Sequence, residues 1–514
     1  MDESTPLVAT RAKKEMPSSW HAIFPMFLVA FSGGALFAPH VQFYTEVFCN
    51  IYYKTQNDID NTIIPFKDCA IPPVQKMVSK AQAVIMFLTY ASTLLGAGFY
   101  GRLSDRKGRS LILRISTIGS LIYVSCDILT AKYYDSIGIV LLFLGPLIRG
   151  MMAGESVLMA AVQAYIADCT SSDSRTVIFA RLMASLFIGS AIGPFFSSLV
   201  LKHTGSVVHV FYIAFIVDVI NVLYTTFLLP ESNQFMDRNQ HETRPNRKAI
   251  GVCSSLNIFS ALQILFREPP IHLTRYALPC IALAEFLLTL VKRPPTLLYA
   301  MLKFKWTAYE GSLYYTCTSL LKLTMMIGVL PLLSRLFKKK CPKAHVTPAD
   351  QEKIVNNSTL FDIWMVRIGI GMDAVCLALA GLASSVVLFT AAGMLQSVSM
   401  LAQPSIRGLL TTCVKQTQVG ELLGAVAILD SIAMIISHLG INFIYSSSVL
   451  TMPNLTFFVC SAVASCSCLA AFMVKRKIVR IDEEDQVDSC LSAHYNDAES
   501  SALVCPVKHI KSNK

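Results

Sequence analysis

Long apolar runs alternate with short polar turns along almost the whole chain, and each run has the length that crosses a bilayer rather than the length that fills a soluble core. Twelve such windows are predicted, near 21–43, 80–100, 110–130, 138–166, 176–201, 208–230, 273–302, 310–336, 361–383, 385–413, 419–445 and 454–474. They fall into two groups of six, separated by 231–270. The first half of that segment is polar, and its second half, 251–266, has apolar residues at helical spacing, which predicts a short helix on the membrane surface. The expected fold is an all-α membrane protein of about twelve transmembrane helices in two pseudo-symmetric six-helix halves, a layout shared by many carriers. Its divisions are a tail over 1–20, an amino-terminal half over 21–230, a linker over 231–270, a carboxyl-terminal half over 271–474 and a disordered tail over 475–514.

Composition narrows this further. Of the 514 residues 54% are apolar and 15% charged, so little chain is left for a separate soluble domain. The formal charge of +11 could point to nucleic acid, but its basic residues gather in loops on one side. They include Arg11, Lys13 and Lys14, then Arg102, Arg106, Lys107 and Arg109, then Arg244, Arg247 and Lys248, and last Lys475, Arg476 and Lys477. This is the distribution of cytoplasmic loops, so both termini are expected inside the cell and no nucleic-acid partner is expected. The first window follows "RAKKEMPSSW" without a small-residue cleavage site and reads as a first span.

Most of the fifteen cysteines lie in apolar spans, where a thiol packs as a small hydrophobe. Cys49 and Cys69 differ, because they bracket the one long loop on the outer side, "CNIYYKTQNDIDNTIIPFKDC", and a disulfide is predicted there. Asn454-Leu455-Thr456 is a glycosylation sequon close to a span on that side. Glycine and proline inside spans, as in "FLGPL", "IGSAIGPFF" and "KRPPT", suit kinked helices that pack closely or line a wet cavity.

Ionisable groups at mid-bilayer are costly and are functional candidates for that reason. Seven stand out: Arg149 and Glu155 in span four, Asp218 in six, Glu285 in seven, Lys322 in eight, Asp373 in nine and Asp430 in eleven. Glu155, read as a buried carboxyl that could load and release a proton, is the first proton-coupling candidate and Glu285, at comparable depth in the other half, the second. Arg149 lies six residues before Glu155, about 120° round a continuous helix, and no direct pair is expected. Lys292 and Arg293 precede "PPT" and, with Arg149, Lys322 and Asp430, are candidates for lining a substrate cavity. His40 and His438 read as isolated structural polar groups. The chain has no G-x-x-x-x-G-K-[ST] loop and no H-E-x-x-H pair, so no cofactor or metal is expected and an ATP-driven pump is excluded. An enzyme would need a clustered His/Asp/Glu constellation, and none is visible in the sequence.

Between the second and third spans stands "GRLSDRKGRS", with Gly101, Asp105, Arg106, Gly108 and Arg109. In this position of a twelve-span chain it resembles the signature loop of the major facilitator superfamily. Span five carries Gly189, Gly193 and Pro194 at the spacing of that superfamily's antiporter motif, but Ser197 and Ser198 replace the glycine pair that should follow. "LLPES" closing span six and "LKFKWTAYEGSLYY" after span seven are similar to further superfamily segments, whereas "LSRLFKKK" after span eight keeps only the basic charge of the repeated loop. The run "AAVQAYIADCTSSDSRTVIFA" resembles the branch that holds proton-coupled folate transporters and fungal drug–proton antiporters.

The resemblance implies alternating access, with the signature loop as a cytoplasmic latch in which Asp105 faces the eleventh helix and Arg109 pairs with Asp168. It implies a proton-coupled carrier of a small organic solute, working as a monomer in the plasma or vacuolar membrane, by drug-like antiport or organic-anion symport. A receptor or sensor that keeps the fold without transport is the alternative.

Overall fold

The computed structural model describes residues 17–55, 66–133, 139–170, 172–232, 263–266, 276–337, 348–414 and 419–474. Most of the proposed surface helix and both tails lie outside the residues described. Of the surface helix, Gln263–Phe266 forms a short 3-10 turn that buries Leu265 in the carboxyl-terminal half.

All regular structure among the described residues is helical. The amino-terminal half runs α1 (Trp20–Thr55), α2 (Pro72–Lys107), α3 (Arg109–Lys132), α4a (Ile139–Met151), α4b (Glu155–Cys169), α5 (Ser172–Thr204) and α6 (Val207–Leu223, ending in a π-helical turn Tyr224–Leu228). The carboxyl-terminal half runs α7a (Ala277–Leu290), α7b (Thr296–Phe304), α8 (Ala308–Phe337), α9 (Pro348–Leu382), α10 (Val386–Leu410), α11 (Val419–Ser448) and α12 (Leu455–Met473). Among the described residues eleven helices are long and apolar enough to cross a membrane, and the two pieces of α7, the first a shorter apolar helix, occupy the remaining predicted span. Large apolar side chains such as Leu95, Phe227 and Leu469 are exposed on the outside of the bundle, where lipid would cover them.

Three helices run well beyond their predicted spans, since α1 and α2 each have 36 residues and α9 has 35. Local chemistry sets the ends of α2. Pro72 and Pro73 start it where no N–H is needed, and Gly108 stops it at φ 106°, its N–H closing on Ser104 O at 3.1 Å. α8 begins in a reciprocal cap in which Thr307 accepts from Tyr309 N at 3.2 Å and Glu310 accepts from Thr307 N at 2.8 Å. Two spans expected to be continuous are broken. Span four is interrupted at Met152–Gly154, where Ala153 takes φ 54°, and span seven at 291–295 around Pro294 and Pro295.

The two ends of the molecule are built differently. On the side of the Cys49–Cys69 disulfide, a single buried cluster draws Phe43, Phe48, Val74 and Ile85 from one half and Leu298, Trp306, Phe389 and Tyr445 from the other. On the opposite side, where the described chain starts and ends, each half keeps a core of its own. Ile23, Ile112, Tyr165 and Leu229 form one, and Leu278, Ile363, Leu410 and Leu422 the other. Among the described residues the halves share one core at the disulfide side and keep separate cores at the terminal side. Polar contacts across the seal agree: Ala308 N donates to Gln42 Oε1 at 2.6 Å, Ser79 Oγ to Asn442 O at 2.9 Å and Lys305 Nζ to Ala70 O at 3.0 Å.

Candidate functional site

The signature-like loop forms a closed network within the amino-terminal half. Arg109 reaches Asp105 at 2.6 Å through Nη1 and Asp168, near the end of α4b, at 3.3 Å through Nε, and donates to Ser104 Oγ at 3.0 Å. Glu231, just past α6, accepts from the backbone N–H groups of Arg109 at 2.8 Å and Ser110 at 3.1 Å. A carboxylate on the first amides of α3 satisfies donors that have no partner inside the helix and complements its dipole. Gly108 is obligatory here, since a Cβ at that position would strike the Glu231 carboxylate. At Gly101 a Cβ would meet nothing, and Arg106 is exposed. The latch reading expects Arg109 contacts that form only while the terminal side is closed. The expected pairing of Arg109 with Asp168 is present, and the contacts of Arg109 with Asp105, Asp168 and Ser104 lie within one half.

The breaks in α4 and α7 present Glu155, Lys292 and Arg293. At the first break Gly150 and Gly154 press against Thr89, Ser92 and Thr93 of α2, and Thr93 Oγ1 donates to Gly150 O at 3.3 Å. Glu155 follows as the first residue of α4b and is exposed, not buried as the sequence reading expects. Its place is understandable, because the break ends the continuous helix on which that reading relied and a carboxylate is favourable at a helix N-terminus. The 120° separation from Arg149 lapses for the same reason. At the second break Lys292 and Arg293 are also exposed, although they lie in the interior of the bundle. Arg293 Nη1 donates to Tyr90 Oη of the other half at 3.3 Å, and its charge is within reach of Glu155 and Tyr315. Lys292 is within reach of Glu285, Asp430 and Arg407, and Lys322 within reach of Asp373, Lys292 and Arg293.

The carboxylates of the carboxyl-terminal half are unequally provided for. Asp373 accepts from Gln396 Nε2 at 2.7 Å, and Asp430 accepts from Thr289 Oγ1 at 3.3 Å and meets Arg407 at 3.8 Å. Glu285 is 4% exposed and its Oε2 has no hydrogen-bond partner. In the other half Asp218 is buried beside Ser32, and Arg149 lies over the Tyr123 ring at 5.2 Å. The sequence reading missed one in-span carboxylate, Asp127 in "VSCDIL", which is 2.9 Å from His40. The polar residue in the third apolar run was a usable signal, but its pairing with a histidine 87 positions away was not.

Gly189 and Gly193 of α5 lie against the backbone of α1, with Phe27 O 2.7 Å from the place a Cβ of Gly189 would occupy and Phe31 O closer still to that of Gly193. Their spacing, with the Pro194 kink, is accounted for by close helix packing. The Cys49–Cys69 disulfide is formed. Asn454, the acceptor of the outer sequon, spends its amide on Gly381 O at 2.9 Å.

Comparison with known proteins agrees with this architecture. The model of the Major Facilitator Superfamily matches residues 23–346. An MFS-type transporter, avaJ, of Aspergillus versicolor is 25% identical, over 85% of this chain and 84% of its own length. The proton-coupled folate transporter of Bos taurus is 24% identical, over 72% of each chain. The crystal structure of the human organic anion transporter MFSD10 superposes with a TM-score of 0.56 at 14% identity, over 89% of this chain and all of that one, which speaks for the fold. Twelve predicted spans in two halves, the signature loop between the second and third, and a family match over more than half its length establish that this chain belongs to the major facilitator superfamily, whose members are membrane transporters and not enzymes.

Proposed function

We propose that the protein is a proton-coupled carrier of a small organic anion, working as a monomer by alternating access with both termini in the cytoplasm. The observation that carries the reading is the break in α7. It holds Lys292 and Arg293 exposed inside the bundle, facing Tyr90 and Glu155 of the other half, two turns from a buried Glu285 with an unpartnered oxygen. Cations without a full set of protein counter-charges suit an anionic solute. A buried carboxyl with a free oxygen suits a proton, which would give it a donor and remove its charge. In this division Glu285 carries the proton, Lys292, Arg293, Lys322 and Arg149 receive the anion, and Glu155 and Asp430 position the cations between loads. Separate cores at the terminal side then correspond to the inward-facing state. The folate and organic-anion transporters among the similar proteins support an anionic solute. The antiport reading loses its main support, since packing explains the glycine spacing in α5.

The test uses the purified full chain in proteoliposomes under an imposed pH gradient, acidic outside. Labelled folate, succinate and salicylate serve as anions, xylose as a neutral probe and tetraphenylphosphonium as a cation. At least one anion should accumulate and the other two classes should not. Lys292→Gln should raise its KM about tenfold. Glu285→Gln should lower the accumulation supported by a one-unit gradient at least tenfold while exchange at equal pH persists. Accumulation of the cation or the neutral probe alone, or an unaffected Glu285→Gln, rejects the reading.

A further inference from the structure

A second titratable pair lies in the amino-terminal half, remote from Glu285. Asp127 of α3 has 1% of its side chain exposed and His40 of α1 has 14%, and His40 Nε2 is 2.9 Å from Asp127 Oδ2. The His40 ring is enclosed by Tyr44 at 5.8 Å, Tyr123 at 5.4 Å and Phe211 at 5.3 Å. The Tyr44 and Tyr123 hydroxyls are 3.2 Å apart. The charged and titratable groups around the pair are few. Tyr44 stands on α1, Tyr123 and Cys126 on α3 and Arg149 on α4a, while α6 presents Phe211 and, two turns on, Asp218. From α8 comes Tyr315, whose ring meets Phe37 of α1 edge to face with centroids 4.5 Å apart.

A carboxylate removed from water needs a cation or a proton beside it. A structural ion pair is served by arginine or lysine, which stay charged. Here the partner is the one side chain able to move between neutral and charged forms near neutral pH. With the Nε2 hydrogen directed at Asp127, Nδ1 is the atom free to take or give a proton. The pair also touches the anion route, because the Tyr123 ring that contacts His40 carries the Arg149 guanidinium on it at 5.2 Å.

We propose that His40 and Asp127 form a second proton-binding site, loaded together with the anion and additional to Glu285. In the loaded form an imidazolium faces the carboxylate, and in the empty form neutral imidazole donates its Nε2 hydrogen to it. One proton enters at Nδ1 and leaves from it, with no other bond changed. An anion on Arg149 and a proton on His40 offset one another's charge, so the binding of each favours the other. This inference rests on the anion-carrier reading and adds a stoichiometry of two protons per anion.

The experiment measures how the accumulation ratio of the transported anion depends on the gradient in proteoliposomes, with membrane potential clamped at zero. Two protons support about 100-fold accumulation per unit of pH difference and one proton about tenfold. The wild type is expected near 100-fold, His40→Gln and Asp127→Asn near tenfold with equal-pH exchange still measurable at a raised KM for the anion, and His40→Gln combined with Glu285→Gln without gradient-driven accumulation. Exchange at equal pH shows that each variant is folded and inserted. A wild-type ratio of tenfold, or a wild-type ratio retained in both single variants, overturns the inference and leaves the carrier reading standing. Failure of every probe anion to accumulate overturns the carrier reading, and this inference with it.

Discussion

The disulfide side and the terminal side of this protein use opposite constructions. At the disulfide side the two halves share one apolar core, and polar contacts such as Gln42 to Ala308 and Ser79 to Asn442 cross between them. At the terminal side the signature loop ties α2, α3, α4b and the end of α6 into one body through Arg109 and Glu231. The difference teaches that charge density does not mark the gate here. Ionic contacts at the terminal side brace a half against itself, and the closed seal is made of apolar packing with a few hydrogen bonds, one of them from the Lys305 ammonium to a main-chain carbonyl. A half braced in this way can rock as a unit, which alternating access requires.

Four substitutions would break or sharpen that comparison. Gly108→Ala should have the largest effect, about 3–4 kcal/mol of stability, because it adds a Cβ at positive φ where the Glu231 carboxylate lies. Thermal unfolding of the full chain in nanodiscs would show it, and a near-silent variant would mean that the Glu231 contact is dispensable. Arg109→Ala should cost about 2 kcal/mol by stripping Asp168 and Ser104 of their partner. Its signature is the combination of lower stability with unaltered cysteine reactivity at the terminal side, since the guanidinium bonds it removes all lie within one half. A change in that reactivity would restore the latch.

A smaller effect is expected from Gln42→Ala, which removes the acceptor for Ala308 N across the seal. A loss of about 1 kcal/mol would move the populations roughly fivefold toward opening at the disulfide side. Labelling of an introduced Tyr315→Cys thiol from that side should rise accordingly, and unchanged labelling would show that the apolar cluster alone holds the seal. The smallest effect belongs to Gly101→Ala. It stands in the same loop motif as Gly108 but has open space around it, so the change should be neutral or stabilise α2 by up to about 1 kcal/mol. A loss comparable to that of Gly108→Ala would show that Gly101 is needed for a state other than this one.

What could be read from the sequence follows the range of each physical signal. Span positions, the two-half plan, the disulfide and the family rest on composition, periodicity and local motifs, all of which act over a few dozen residues. The break in α7 was half legible, because Pro294 and Pro295 announce a kink without saying that Lys292 and Arg293 will stand exposed on it. The break in α4 carried weaker signs, Gly150 and Gly154 around a methionine pair, and so Glu155 was placed on a continuous helix and assigned a buried carboxyl. Pairings such as His40 with Asp127, or Glu231 with the start of α3, join residues 87 and 122 positions apart. Helix packing sets them, and no local pattern records it.

Two contacts across the seal share one property. Gln42 meets a main-chain N–H at Ala308 and Lys305 a main-chain carbonyl at Ala70, whereas Ser79 meets both the main-chain carbonyl and the side-chain Oδ1 of Asn442. A main-chain atom survives any replacement of its side chain other than proline at a donor. Each of the two main-chain contacts is therefore anchored by a single evolvable position, and the facing residue is free to drift without compensation by its partner. Among relatives of this chain, covariation between the two halves at these two sites should be weak even where the contacts persist, and Gln42 and Lys305 should change more slowly than Ala308 and Ala70.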